Sequence, residues 1–233
     1  PLNLHLIIRA SAGEDEVEVE IRNLHDNITS IRKNGGEIYS AKENDGLYYG
    51  VLTDRSILTF DRIYDFAVNT PIERLREVFT PQIEDNIRIA EEGLTGKYGV
   101  GIGTSLIAND KSSAAKIKAY AASASEARMS GCTLPVITNS GSGNQGIAAS
   151  IPVIVYAREH GITGDKLYRA LALSNLLTIY QKTFIGRLSA FCGAVSAAAA
   201  SGGAITYLAG GDLSQIKMTL VNALANVSGI VCD

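Results

Sequence analysis

Asp15-Glu16-Val17-Glu18-Val19-Glu20-Ile21 alternates acidic and β-branched apolar residues with a period of two, the pattern of a strand with one apolar and one charged face. The period extends to either side. Leu4, Leu6 and Ile8 precede the stretch, Ile28 and Ile31 follow it, and Asn34-Gly35-Gly36 supplies a turn ahead of Glu37-Ile38-Tyr39. A small antiparallel sheet is therefore predicted. From Asp61 onward the spacing becomes helical, with Thr59 or Asp61 as a start signal and Asn69-Thr70-Pro71 separating two helices, the second expected to break at Pro81. Gly93 and the run Gly99-Val100-Gly101-Ile102-Gly103 form a joint. Further helices are expected from Asp110 or Ser112 to about Met129, then roughly over 145–160, 164–188, 190–201 and 213–227. The predicted fold class is α+β, with a β-rich subdomain over 1–58 and a helical catalytic body over 59–233, truncated at its C-terminus.

The composition narrows the function. At 46% hydrophobic and 19% charged, 233 residues can bury an ordinary globular core. The net charge is -3 and the basic residues are scattered among acids, which excludes the cationic stripe that nucleic acid requires. Cys132, Cys192 and Cys232, an odd and widely spaced set, suit reduced thiols in the cytoplasm better than a secreted disulfide framework. No basic n-region followed by an apolar h-region opens the sequence, so nothing in it is expected to act as a signal peptide. The uncharged stretch from Ala190 to Gly211 is too rich in Ala, Gly and Ser, and too interrupted at Gly202-Gly203, to be a membrane span. Beginning at Pro1 and stopping one residue after Cys232, the chain reads as an internal fragment of a longer polypeptide.

Two glycine-rich segments compete for attention. Gly99 to Gly103 lacks the preceding buried strand and the spacing of a dinucleotide-binding fingerprint, so a turn is expected there. Asn139-Ser140-Gly141-Ser142-Gly143-Asn144-Gln145-Gly146 is more informative, because its glycines let backbone approach a ligand while Ser and Asn supply donors and acceptors. It also feeds a helix, whose free N–H groups and dipole attract a carboxylate or phosphate. No Gly-Lys-Ser/Thr ends the loop, which disfavours nucleoside triphosphates and leaves a small carboxylate. Pro152 is expected to kink the helix that follows.

Lys182 and Arg187, with Ser189, lie on the approach to Cys192 and are candidate carboxylate contacts beside that loop, against the plainer reading of surface charge. Cys192 and Cys232 are each flanked by Gly, and taken singly each also reads as a small buried hydrophobe. His5, His25 and His160 show no metal-ligand spacing, and His25 reads as a polar turn residue.

Four segments in order carry a resemblance: Glu126-Ala127-Arg128-Met129-Ser130-Gly131-Cys132, Thr138 to Gly146, Gly186-Arg187-Leu188-Ser189-Ala190-Phe191-Cys192-Gly193-Ala194, and Gly229-Ile230-Val231-Cys232-Asp233. Together they resemble the L-cysteine desulfidase family, related to the alpha chain of iron–sulfur L-serine dehydratases. The resemblance implies a [4Fe-4S] cluster held by three cysteines, with Cys192 and Cys232 matching two of them. The third is expected just past Asp233, and an upstream desulfidase cysteine, discussed as an acid/base group, is expected before Pro1. Cluster binding and activity are accordingly expectations for a longer protein. Cys132 matches no ligand.

The implied reaction is β-elimination from L-cysteine to pyruvate, ammonia and sulfide, in which an open iron takes up charge on a poor leaving group. The residues expected to bind the amino acid are Asn139, Ser140, Gly141, Ser142, Gly143 and Asn144, with Lys182 and Arg187 as further contacts. L-serine or L-threonine dehydration on the same scaffold is the alternative, and a noncatalytic iron–sulfur or binding module is a third reading. The expected partner is an amino acid, with neither nucleic acid nor membrane, and a homo-oligomer is compatible with the sequence.

Overall fold

The computed structural model describes residues 4–23, 27–41, 54–186 and 191–228. The chain divides into two units, residues 1–55 and 56–233. The first is an antiparallel meander of β1 (His5–Ala12), β2 (Asp15–Arg22), β3 (Ile28–Lys33) and β4 (Gly36–Ser40), in chain order. Register follows the alternation in β2. Val19 lies between Ile8 and Ile31, and Ile31 pairs onward with Tyr39, giving one apolar row across the sheet. On the other face Glu18 accepts from Arg9 Nε at 2.6 Å, and Glu20 accepts from Arg22 at 2.6 Å with His5 Nε2 2.7 Å away. A slip of one residue would set glutamates against the apolar row, so the pattern holds the register. Asn34 and Gly35, at φ of 50° and 79°, make the turn themselves, and Gly36 is already in β4. His25 lies outside the described residues.

The described part of the second unit forms eight helices: α1 (Phe60–Asn69), α2 (Ile72–Gly93), α3 (Ile102–Asn109), α4 (Ser113–Met129), α5 (Gly143–Glu159), α6 (Asp165–Ile185), α7 (Gly193–Leu208) and α8 (Leu213–Ser228). The fold is α+β, as the change of period predicts. Helix α5 is the axis of the body, packed by α2, α4, α6 and α7. Its Ile147, Ile151 and Ile154 are at most 1% exposed, and each buried side chain of this size contributes about 1.5–3 kcal/mol. The buried Ala197, Ala200 and Ala204 of α7 keep that helix close to its neighbours. Among the described residues no helix is long and apolar enough to cross a membrane.

Two expectations need correction. Helix α2 runs unbroken through Pro81, because Leu75, Phe79, Gln82, Asn86 and Ile89 bury one face on both sides of it, and that packing outweighs a penalty of about 3 kcal/mol for an interior proline. Helix α7 continues through Gly202-Gly203 to Leu208. The small residue at 203 is a packing feature, since a Cβ there would stand 2.8 Å from Leu220 Cδ1 on α8. The glycine joint at 99–103 is the expected turn, and it leads into a short helix, α3, that the sequence reading did not include.

That joint is a turn with its own anion. Glu126 of α4 accepts backbone N–H groups of Val100 at 3.1 Å, Ile102 at 3.2 Å and Gly103 at 3.4 Å. Gly101, at φ of 76°, caps α3 without a side-chain bond, so the carboxylate stands in for the missing cap. Burial pushes Glu126 up, and the backbone donors pull harder, leaving it below its ordinary value of 4.5.

Candidate functional site

The loop that feeds α5 is a tight hairpin. Asn139 N donates to the Ser142 carbonyl at 3.2 Å and Ser142 N to the Asn139 carbonyl at 3.0 Å. Ser140 and Gly141 between them sit at φ of 49° and 81°, the two-residue turn with both central residues left-handed. Ser140 holds that conformation without being glycine, a local strain of the kind found at binding sites. Ser142 then caps α5, its hydroxyl accepting from Gln145 N at 3.4 Å. The N–H groups of Gly143 and Asn144 begin the helix, where the dipole is positive.

A buried web of carboxamides holds the hairpin from behind. Asn139 donates to Asn175 Oδ1 at 2.9 Å and accepts from Gln145 Nε2 at 2.9 Å. Asn175 in turn donates to Gln82 Oε1 at 2.9 Å. Asn86, fully buried, accepts from Ile137 N at 2.9 Å and donates to Ser150 Oγ at 2.8 Å. Buried amides are costly unless paired, and paired ones fix a single geometry. Gly146 lies against the Ile137 carbonyl, 2.1 Å from where a Cβ would be. Gln82, Asn86 and Asn175 were not singled out from sequence. The spacing of Gln82 and Asn86, one helical turn apart on a buried face, is the signal that could have found them.

The cation at the hairpin is Arg128. Its Nε lies 2.2 Å from the place of a Cβ on Gly143, and Nη1 donates to Asn144 Oδ1 at 3.3 Å. Lys182 is half-buried in the last turn of α6, one turn beyond Ile179, and its ammonium makes no hydrogen bond or ion pair among the described residues. Arg187 and Cys232 lie outside the described residues, as do Ser189 and the Gly229–Asp233 segment.

Cys192 is an exposed free thiol at the N-cap of α7. Its neighbour Gly193 packs on the carboxamide oxygen of Gln145, which also holds Asn139. Gln145 and Gly193, 48 positions apart in sequence, thus bring two segments together through one side chain. Cys132 lies just past α4 instead, half-buried, its N–H donating to the Ala127 carbonyl, and its nearness to Tyr98 pushes that phenol above its ordinary value. An iron–sulfur cluster needs several thiolates at one point. The described residues bring one, Cys192, to the hairpin, and no three His, Cys, Asp or Glu among them are grouped to hold a metal. By themselves they do not complete such a site.

On its other side the hairpin borders a cavity of about 400 Å³ between α1, α2 and α6, with Asn139 and Ser140 in its wall.

The family model described as serine dehydratase alpha chain matches residues 15–233. Among curated proteins, a UPF0597 protein of Treponema denticola is 45% identical over all of this chain and 56% of its own length. A UPF0597 protein of Lachnoclostridium phytofermentans is 47% identical over 99% of this chain and 55% of its own. One from Desulfitobacterium hafniense is 50% identical over 93% of this chain and 50% of its own. The chain therefore spans about half the length of the curated relatives it matches. No solved structure matches it.

Proposed function

The chain belongs to the serine dehydratase alpha chain family, and from that membership we propose that it is the core of a cytoplasmic amino acid lyase acting on L-cysteine. The reaction takes the α proton and expels sulfide, and water then converts the resulting enamine to pyruvate and ammonia. The observation that carries this reading is the link from Asn139 through Gln145 to Gly193 beside Cys192. It joins the carboxylate-binding hairpin to a family cysteine. The hairpin holds the substrate carboxylate with the N–H groups of Gly143 and Asn144, and Arg128 adds the charge that Arg187 and Lys182 were expected to bring.

The [4Fe-4S] cluster is proposed for the whole protein, where it would supply a Lewis acid to the leaving group. Cys192 and Cys232 are its proposed ligands in this chain. L-serine dehydration is the second reading, favoured by the description of the matching family. Anaerobic reconstitution of the full-length protein, followed by pyruvate and sulfide assays on L-cysteine and L-serine in parallel, separates the readings. Cluster-dependent sulfide with little serine turnover supports the desulfidase. Serine turnover replaces it with the dehydratase, and turnover of neither leaves a noncatalytic module.

A further inference from the structure

The cavity beside the hairpin has walls that a small polar amino acid does not call for. Its volume of about 400 Å³ lies within the range of small-molecule sites, which begins near ~300 Å³. Phe66 of α1, Val78 and Phe79 of α2, and Leu176 and Ile179 of α6 make the walls apolar. Phe66 and Val78 are 49% and 61% exposed, so the rim leaves apolar surface in water. The polar floor is already satisfied, because Asn139, Asn175 and Gln82 bond to one another.

One charge remains. Among the described residues Arg74 is the single charged residue lining the cavity, and its guanidinium has no hydrogen bond or ion pair with any of them. Nearby arginines are engaged: Arg76 pairs with Asp165 at 2.9 Å, and Arg169 donates to the Ala67 and Thr70 carbonyls. Among the described residues no acid lines the cavity to compete for Arg74. An apolar chamber with one unpaired guanidinium at its wall is complementary to an amphiphilic anion.

We propose that this cavity is a second ligand site, taking an organic monocarboxylate with an aliphatic or aromatic tail, its carboxylate on Arg74 and its tail against Phe66, Val78 and Ile179. This goes beyond the elimination reading and does not depend on it. The pocket needs no cluster and its ligand undergoes no reaction.

Isothermal titration of the full-length protein with 3-phenylpropanoate and octanoate tests the site, with 3-phenylpropanamide and L-alanine as controls. Both carboxylates are expected to bind, the amide at least about tenfold more weakly, since a hydrogen bond to a charged group carries that much discrimination. L-alanine, without a tail, is expected to leave no signal in R74Q-sensitive binding. Arg74→Gln should weaken the carboxylates about tenfold and leave the amide unchanged. Val78→Asp, an exposed wall position, should abolish carboxylate binding by like charge, and circular dichroism checks that both variants fold. Absence of carboxylate binding, equal binding of the amide, or indifference to Arg74→Gln each overturns the proposal. Because the readout is binding, a failure of cysteine or serine turnover leaves it standing.

Discussion

The carboxamide oxygen of Gln145 stands 1.9 Å from the point where a Cβ on Gly193 would be. Gly193 cannot grow unless Gln145 moves. Gly193→Ala should push Gln145 off Asn139 and cut turnover of the reconstituted full-length protein at least about tenfold, at an overpacking cost of about 1–3 kcal/mol. In a Gln145→Ala background the same glycine substitution should cost little more, because the clash is gone. Steady-state rates and thermal unfolding of the four proteins close the cycle. Additive losses would show that the two residues act apart.

Asn86 is the anchor of the segment that leads into the hairpin. Replacing it with Leu keeps the volume but leaves Ile137 N without its buried acceptor and Ser150 Oγ without its donor. A loss of about 1–3 kcal/mol is expected for a buried group stripped of its partner. Urea unfolding should show a lower midpoint with an unchanged slope. A midpoint equal to wild type would mean that water replaces the amide at no cost.

What could be read in the sequence was whatever repeats locally. The alternation through Val17, Val19 and Ile21 placed the sheet, and Ser112 and Thr59 marked helix starts that the structure caps with those side chains. Pro81 and Gly202-Gly203 misled because their local penalties are outweighed by long-range packing on α5 and α8, which no window of neighbouring residues contains. The loop at 139–146 was visible from its glycines, whereas its tight turn at Ser140-Gly141 and the helix start at Gly143 were not. The web behind it was not, since Gln82, Asn139 and Asn175 meet only when three distant segments fold together. Arg128 went unweighed as a loop contact for the same reason. It approaches Gly143 across the α4–α5 crossing, whereas Lys182 was favoured for its nearness in sequence to Cys192.

Glu126 makes the fold sensitive to acid. Its carboxyl titrates below the ordinary 4.5 in the folded chain. A depressed folded value means that its contribution is complete above the unfolded value and is lost as pH falls through the folded one. Glu126→Gln should therefore lower stability by about 1 kcal/mol at pH 7, the typical cost of losing a helix cap. The gap between variant and wild type should narrow as pH drops below 4.5. Chemical unfolding at pH 7 and at a series of acidic values measures this, and a gap independent of pH would remove the carboxylate charge from the account.

Gly93 and Gly202 both end or interrupt helices by composition, yet they should respond to alanine in opposite directions. At Gly93 a Cβ would fall 2.2 Å from the Ser123 backbone carbonyl of α4. Backbone cannot swing aside as a side-chain tip can, so Gly93→Ala should destabilise by about 1–3 kcal/mol as α2 is forced off α4. At Gly202 the nearest atom is Thr219 Cγ2 at 3.5 Å, an ordinary contact. There the methyl fits, and the gain in helix propensity should stabilise the protein by about 0.5–1 kcal/mol. For a chain of this size each kcal/mol moves the melting temperature by about 2–4 °C, so a thermal scan resolves the two signs. Shifts in the same direction would mean that one of the two helix crossings, α2 on α4 or α7 on α8, is wider or tighter than described.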